Sequence, residues 1–500
     1  MKTNKRKLLY SFTIAVLVSA GFVPFVSRAQ ISEKQSSQTL NFQNLKLKSH
    51  AGDSVSFSMA QVAVPENRLS GKTNTIQLAI LKLQARTANS NYPIVFLAGG
   101  PGQSGVNYIR EEYFQKLVFQ LQQNHDIILL DQRGSGRSLP SLTFKLPGSN
   151  IKDLFLSNES MIALADMASK AGADTFRKKG IDIMGYNTIQ NADDLNDLRI
   201  ALRVEKINLL AISYGTHLAL AAARKYPGLI NDMILIGTSG PGHMHHLPFT
   251  YDKQLKAISE LAAQDTTVNR QVPDMLKLLK SVLAKLEREP IQLQVKDNKK
   301  KQLVYITVGK FGLQMLLRLD AGDSNDFIYF PALLYGIEQG DFTLFQKFLQ
   351  KRFNQFNGEY GSAISVMRTA SGASRKRYRK IATQGKTALL GNAMNTPDIY
   401  ARNHWGDTDL GPDFRKLFQS KIRTLFISGT MDSNTPPSNA SEVRKGFQNS
   451  AHLLVQYAGH EDMLPHADVR KAMIKFYEGK DLDAQVISLE RPRFIAVSTR

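Results

Sequence analysis

Three side chains far apart along the chain have the types and settings needed for nucleophilic acyl chemistry: Ser213, Asp432 and His460. Ser213 lies in Ala211-Ile212-Ser213-Tyr214-Gly215, where the apolar run Ile207–Ile212 passes into the Ala-rich stretch Thr216–Lys225. A serine at such a strand-to-helix corner projects its hydroxyl above a sheet. It also lies at a helix N-terminus, where free N–H groups favour negative charge. Small residues two places either side let strand and helix approach closely. A hydroxyl is a weak nucleophile and needs a base, which in turn needs an orienting acid. Asp432 follows the apolar run Thr424–Ser428, and His460 follows Leu453–Tyr457. Both are therefore expected at strand C-terminal ends, on the rim that also carries Ser213. Asp462 and Glu461 are weaker competitors for the acid role, and His217, a helical turn beyond Ser213, competes for the base.

Acyl transfer also needs N–H donors aimed at the developing oxyanion. Tyr214 supplies one backbone N–H. The second is expected from Gly99-Gly100-Pro101-Gly102, which follows the run Ile94–Leu97, with Gly100 favoured and Gly99 as the alternative. Arg133, in Asp131-Gln132-Arg133-Gly134, reads as a residue tying loops together beneath the site. His243, His245 and His246 have no partner at ligand spacing, so no metal site is expected and no cofactor is implied. Gly134-Ser135-Gly136 lacks the Gly-Lys-Ser/Thr ending of a phosphate loop.

The elements that must position these residues follow from the apolar pattern. Asp53 to Ala85 alternates as β-strand, with a turn at Val64-Pro65-Glu66-Asn67, and the polar segment 30–50 before it reads as a loosely held lead-in. Then a unit repeats: a short continuous apolar strand, a Gly-rich turn, an amphipathic helix. Ile94–Leu97, Asp126–Leu130, Ile207–Ile212 and Met233–Ile236 are such strands, as expected of a parallel sheet covered on both faces. Ile189, Ala192, Leu195, Leu198 and Leu202 mark one of the helices. From about Pro241 to Pro412 the pattern is mostly helical, apart from a candidate strand at Leu303–Val308. Strands resume at Thr424–Ser428 and Leu453–Tyr457, and a final helix, Val469–Tyr477, closes the sheet.

The chain has 500 residues, 42% hydrophobic and 21% charged, enough apolar side chains for a large core. It contains no cysteine, which excludes disulfides, thiolate metal sites and a cysteine nucleophile. Lys2, Lys5, Arg6 and Lys7 precede an apolar run from Leu8 to Val26, which ends in Ser27-Arg28-Ala29. That is the layout of a signal peptide cut after Ala29, so export to the periplasm or exterior is expected; an uncleaved anchor is the alternative. No second membrane-length run occurs. The net charge of +21 leaves about +16 once the five basic leader residues are removed. Basic runs at 298–301 and 374–380 carry no aromatic platform, and they read as solvated faces rather than a nucleic-acid surface.

Taken together, these blocks resemble the proline iminopeptidase and tripeptidyl-aminopeptidase-like (TAP-like) branch of the α/β hydrolases. The resemblance rests on Gly99 to Gly105, Asp131 to Ser138, Ala192-Asp193-Asp194-Leu195, Ser213 to Thr216, and Gly429 to Pro436 with His460. It implies an α/β-hydrolase fold: a mostly parallel sheet, flanking helices and an inserted helical cap. The expected organisation is a leader at 1–29, core at 30–240 and 415–500, and cap at 241–414. It also implies a Ser213, Asp432, His460 triad that removes residues from peptide N-termini, often with a proline preference. Ala98 stands where many iminopeptidases carry His, and Ala211 replaces the first elbow glycine. Glu338 and Asp341 are the cap carboxylates weighed as holders of a substrate ammonium. The expected partner is a peptide or small acyl substrate. A carboxylesterase acting on small esters or lactones uses the same triad, and a non-catalytic envelope-binding protein is the reading from another class.

Overall fold

The computed structural model describes residues 39–497, apart from 51, 53, 89–90, 145–150, 358–359, 362 and 481–485. The expected leader lies outside the described residues. A single 10-stranded sheet forms the frame. Three N-terminal strands, Gln43–Lys48, Ser54–Pro65 and Thr75–Leu83, pair antiparallel and join Ile127–Leu130 at one side. From there the sheet is parallel through Ile94–Leu97, Ile207–Ile212, Ile230–Ile236, Arg423–Gly429, Ser450–Gln456 and Val486–Ser488. The central strands are buried along nearly their whole length because helices cover both faces. Val95 and Leu97 face a core with Leu195, Leu198 and Leu218, while Ile94 and Phe96 face one with Leu117, Val118 and Met473.

Two elements depart from the sequence expectation. Gln43–Lys48 is a strand rather than a loose lead-in; it is polar because it is an edge strand with its side chains largely exposed. The helix Ala467–Tyr477 is not the last element, since the three-residue strand Val486–Ser488 adds a further edge.

Between the strands at 236 and 423 the chain is mainly helical. It includes Pro248–Ala263, Met275–Arg288, Lys310–Asp320, Phe330–Gln339, Thr343–Phe356, Ala363–Ser371 and Arg375–Gly385. Leu303–Val308 falls within the strand Gln302–Val308, which pairs in a hairpin with Ile291–Asp297. This segment has its own core, in which Leu154, Phe155 and Met161 from earlier in the chain take part.

A buried polar network holds the loops at the sheet's C-terminal rim. Arg133 is fully buried; its Nε donates to Asp194 at 2.8 Å and its Nη2 at 2.6 Å. Its Nη1 donates to the carbonyls of Glu66 at 2.6 Å and Gly185 at 2.5 Å. Removing the guanidinium would leave the Glu66 and Gly185 carbonyls unpaired and Asp194 held by Arg68 alone. Arg133→Met is therefore expected to cost about 3–5 kcal/mol, read as a lowered urea midpoint at unchanged m-value. Lys116→Ala, at an exposed pair with Glu112, is the control and should leave the midpoint in place.

Candidate active site

Ser213 closes the strand Ile207–Ile212 and precedes the helix Tyr214–Lys225. Its backbone has φ 51° and ψ −120°, a region that non-glycine residues rarely occupy. The turn is fastened on every side. The Ser213 N–H donates to the Ile236 carbonyl at 2.9 Å, and the Ser213 carbonyl accepts from the Thr216 hydroxyl at 2.6 Å. Gly215 lies so close to Leu97 that a Cβ there would overlap the Leu97 carbonyl oxygen. This is the physical reason for a glycine two places after the serine.

The glycine loop sits directly against this corner. A Cβ on Gly99 would lie 3.0 Å from the Ser213 Cβ, so Gly99 is in contact with the serine. Gly100 has φ 108° and turns the chain away into Pro101. The following loop is pinned by Asp131, whose Oδ1 accepts from the Ser104 hydroxyl at 2.7 Å and the Val106 N–H at 3.0 Å. The Gln132 amide donates to the Ala98 carbonyl at 3.0 Å. The Asp-Gln-Arg-Gly segment therefore positions the glycine loop at its start and end.

His460 and Asp432 meet across 28 residues of sequence: the imidazole Nδ1 and Asp432 Oδ2 are 2.8 Å apart. Asp432 also accepts from the Thr435 hydroxyl at 2.6 Å and the Thr435 N–H at 2.9 Å. Thr435 was not singled out from the sequence; its position three residues after the aspartate, in a turn, is the signal that could have marked it. The imidazole lies over Gly237, where a Cβ would be 3.2 Å from His460 Cε1. Gly237 follows the strand Ile230–Ile236, which pairs with the strand that leads into Ser213. With Nδ1 engaged by Asp432, Nε2 is the nitrogen left for other chemistry. Ser213 is partly exposed, and the His460 side chain is 12% exposed.

Burial opposes a charge on His460, but the Asp432 carboxylate, helped by Glu461 and Asp462, outweighs it and raises the imidazole to about 9. Burial would raise Asp432, but His460 and Thr435 outweigh it and hold the carboxyl below its ordinary range. The imidazole's contribution to stability is full below its unfolded value and fades as pH rises through about 9. The carboxylate's contribution is lost as pH falls through its depressed value.

The competing residues are committed elsewhere. Asp462 accepts from the Gly459 N–H at 2.6 Å and the Ser324 hydroxyl at 2.8 Å, bracing the His460 loop against the helical segment. Glu461 is exposed beside His460, Tyr108 and Tyr113. His217 is buried between the Gly240 carbonyl and the Ser371 hydroxyl, and burial pushes it down to about 4. His243 contacts Glu442, His245 stacks with Tyr378, and His246 lies 2.9 Å from the Asn434 carbonyl. Among the described residues no group of three or more His, Cys, Asp or Glu could hold a metal ion. Glu338 accepts from Ser281, and Asp341 accepts from Thr343 at the start of a helix.

Chemically, the site holds a partly exposed serine on a positive-φ turn and, over Gly237, an imidazole whose basicity is raised by a buried carboxylate. NMR titration of the His460 ring should find its pKa near 9. In Asp432→Asn the value should fall toward the ordinary imidazole value of about 6.5. An unchanged value in that variant would contradict the electrostatic assignment.

Comparison with known proteins places the chain among hydrolases. Residues 92–303 match the α/β hydrolase fold family, and residues 403–486 match the TAP-like protein family. The putative hydrolase YuaR of Escherichia coli (strain K12) is 30% identical over 166 residues, 32% of this chain and 31% of that protein. The serine protease Hip1 of Mycobacterium tuberculosis (strain ATCC 25618 / H37Rv) is 26% identical over 201 residues, 37% of this chain and 38% of its own. A probable proline iminopeptidase of Streptomyces coelicolor is 29% identical over 148 residues, 29% of this chain and 33% of that protein. The matched stretches span about a third of these relatives' length. A solved proline iminopeptidase-related protein from Thermus thermophilus aligns over 84% of this chain and 97% of its own, with 15% identity and a TM-score of 0.36. Among the described residues no helix is long and apolar enough to cross a membrane.

Proposed function

This chain belongs to the TAP-like branch of the α/β hydrolases, and from that premise we propose that it is an exported serine aminopeptidase that cleaves residues from peptide N-termini. The observation that carries the reading is the 2.8 Å contact between His460 and Asp432 on the rim where Ser213 turns into its helix. His460 Nε2 takes the Ser213 proton, and Asp432 steadies the imidazolium that results. The hydroxyl oxygen attacks the scissile carbonyl. The N–H of Tyr214 and that of Gly100 or Gly99 hold the oxyanion. His460 then protonates the leaving amine, and water releases the acyl group by the same steps in reverse. Among the carboxylates near His460, Glu461 is the exposed one, and it suits a substrate ammonium better than Glu338 or Asp341.

A base acts only when neutral. An imidazole raised to about 9 should therefore make kcat/KM climb with pH through neutrality, about tenfold per unit well below that value. A profile flat from pH 6 to 9 would break the link between His460 and turnover. Ser213→Ala should lower kcat on aminoacyl arylamides by about 10⁴-fold or more, with an unchanged far-UV spectrum.

The second reading is a carboxylesterase acting on small esters or lactones, which would use the same Ser213, Asp432 and His460. Rates on a proline arylamide and on short acyl esters separate the two: faster amide cleavage supports the peptidase, and activity on esters alone replaces it.

A further inference from the structure

The helix Lys310–Asp320 runs toward the catalytic rim. Just past its end, Gly322 packs beside His460: a Cβ there would lie 3.4 Å from the His460 Cβ and 3.5 Å from the Asn434 Nδ2. Arg318 stands about one turn earlier on this helix. Its Nη2 donates to the Met394 carbonyl at 3.4 Å, and its positive charge acts on the Tyr251 side chain. The Tyr251 hydroxyl in turn donates to Asn434 Oδ1. Two side chains, Tyr251 and Asn434, thus separate Arg318 from the loop that holds Asp432.

Arg318 differs from the carboxylate-paired arginines of the molecule in what it meets. Arg133, Arg352 and Arg368 each pair with a carboxylate, on Asp194, Asp320 and Asp398 respectively. Arg318 pairs with none among the described residues, and its Nε is buried without a hydrogen-bond partner. An arginine cannot shed its proton to relieve such a deficit. The neighbouring carboxylates are already engaged: Asp432 with His460 and Thr435, Asp462 with Gly459 and Ser324, Asp398 with Arg368. Arg368 adds a second positive charge that acts on the same Tyr251 and on His246. This wall of the site therefore carries an unbalanced cation whose planar donor fork matches a carboxylate.

We propose that Arg318 binds a carboxylate of the substrate, so that preferred substrates carry one within a residue or so of the scissile carbonyl, as an acidic side chain or a free C-terminus. The proposal rests on Ser213 as the nucleophile and adds a substrate class to that reading.

Calorimetric titration of the full chain carrying Ser213→Ala tests this without turnover. The probes are two tripeptide pairs: Ala-Ala-Glu-amide against Ala-Ala-Gln-amide for the side chain, and Ala-Ala-Gln with a free C-terminus against its amide for the terminal carboxylate. In at least one pair the acid should bind about tenfold or more tightly. Adding Arg318→Met should erase that difference, and Arg318→Lys should restore part of it. Equal affinity within both pairs, no measurable binding of any probe, or a preference that survives Arg318→Met overturns the proposal. If Arg318→Met does not fold, the Arg318→Lys protein decides, since loss of the bidentate fork should shrink the preference and an unchanged one refutes it. Failure of the nucleophile assignment is separately visible as persisting hydrolysis in Ser213→Ala.

Discussion

The backbone at Ser213 turns through a positive φ, and such a conformation persists only where its surroundings over-determine it. Here the surroundings are the sheet itself. The Ile236 carbonyl takes the Ser213 N–H, Thr216 closes the turn from the helix side, and Gly215 brings the helix onto Leu97 without a side chain between. Thr216 also accepts the Ser239 N–H, linking the turn to the chain beyond the next strand. Gly99 lies against the serine, and His460 lies over Gly237 at the end of the next strand. The turn thus fixes where the hydroxyl stands and where the glycine loop meets it.

Electrostatics then sets what the imidazole can do. Burial is the largest influence on two other histidines and drives them toward neutrality: His217 falls to about 4, and His245, with Arg368 nearby, to about 3. His460 goes the other way, because it faces a carboxylate that Thr435 holds in place with two hydrogen bonds. Loops that do not touch the serine still matter to this geometry. Asp131 and Gln132 fix the glycine loop, Arg133 ties the layer beneath it, and Asp462 ties the His460 loop to Ser324 in the helical segment.

The frame was legible in the sequence where burial was two-sided. Ile94–Leu97 and Ile207–Ile212 are continuous apolar runs because helices cover both faces, and they stand as strands where the pattern put them. The edge strands were the illegible ones: Gln43–Lys48 is polar and Val486–Ser488 is three residues long, so neither carries a periodic signal. The helix Asn158–Lys178 is hidden for a different reason. Its buried face is largely Ala165, Ala168, Ser169 and Gly172, too small to make an apolar stripe. At the site, Asp432 and His460 could be named because each follows a buried strand. Thr435 and Arg318 could not, since their significance lies in contacts between segments: Thr435 with a histidine 25 residues on, Arg318 with Tyr251 on another helix.

The account stands or falls on Ser213 being activated by His460. Its most direct test is treatment of the intact protein with a fluorophosphonate, followed by mass-spectrometric mapping of the adduct and a repeat on His460→Ala. The account predicts one stoichiometric adduct on Ser213, strongly slowed when the imidazole is removed. An adduct on another residue, or labelling of Ser213 at an undiminished rate without His460, would contradict it.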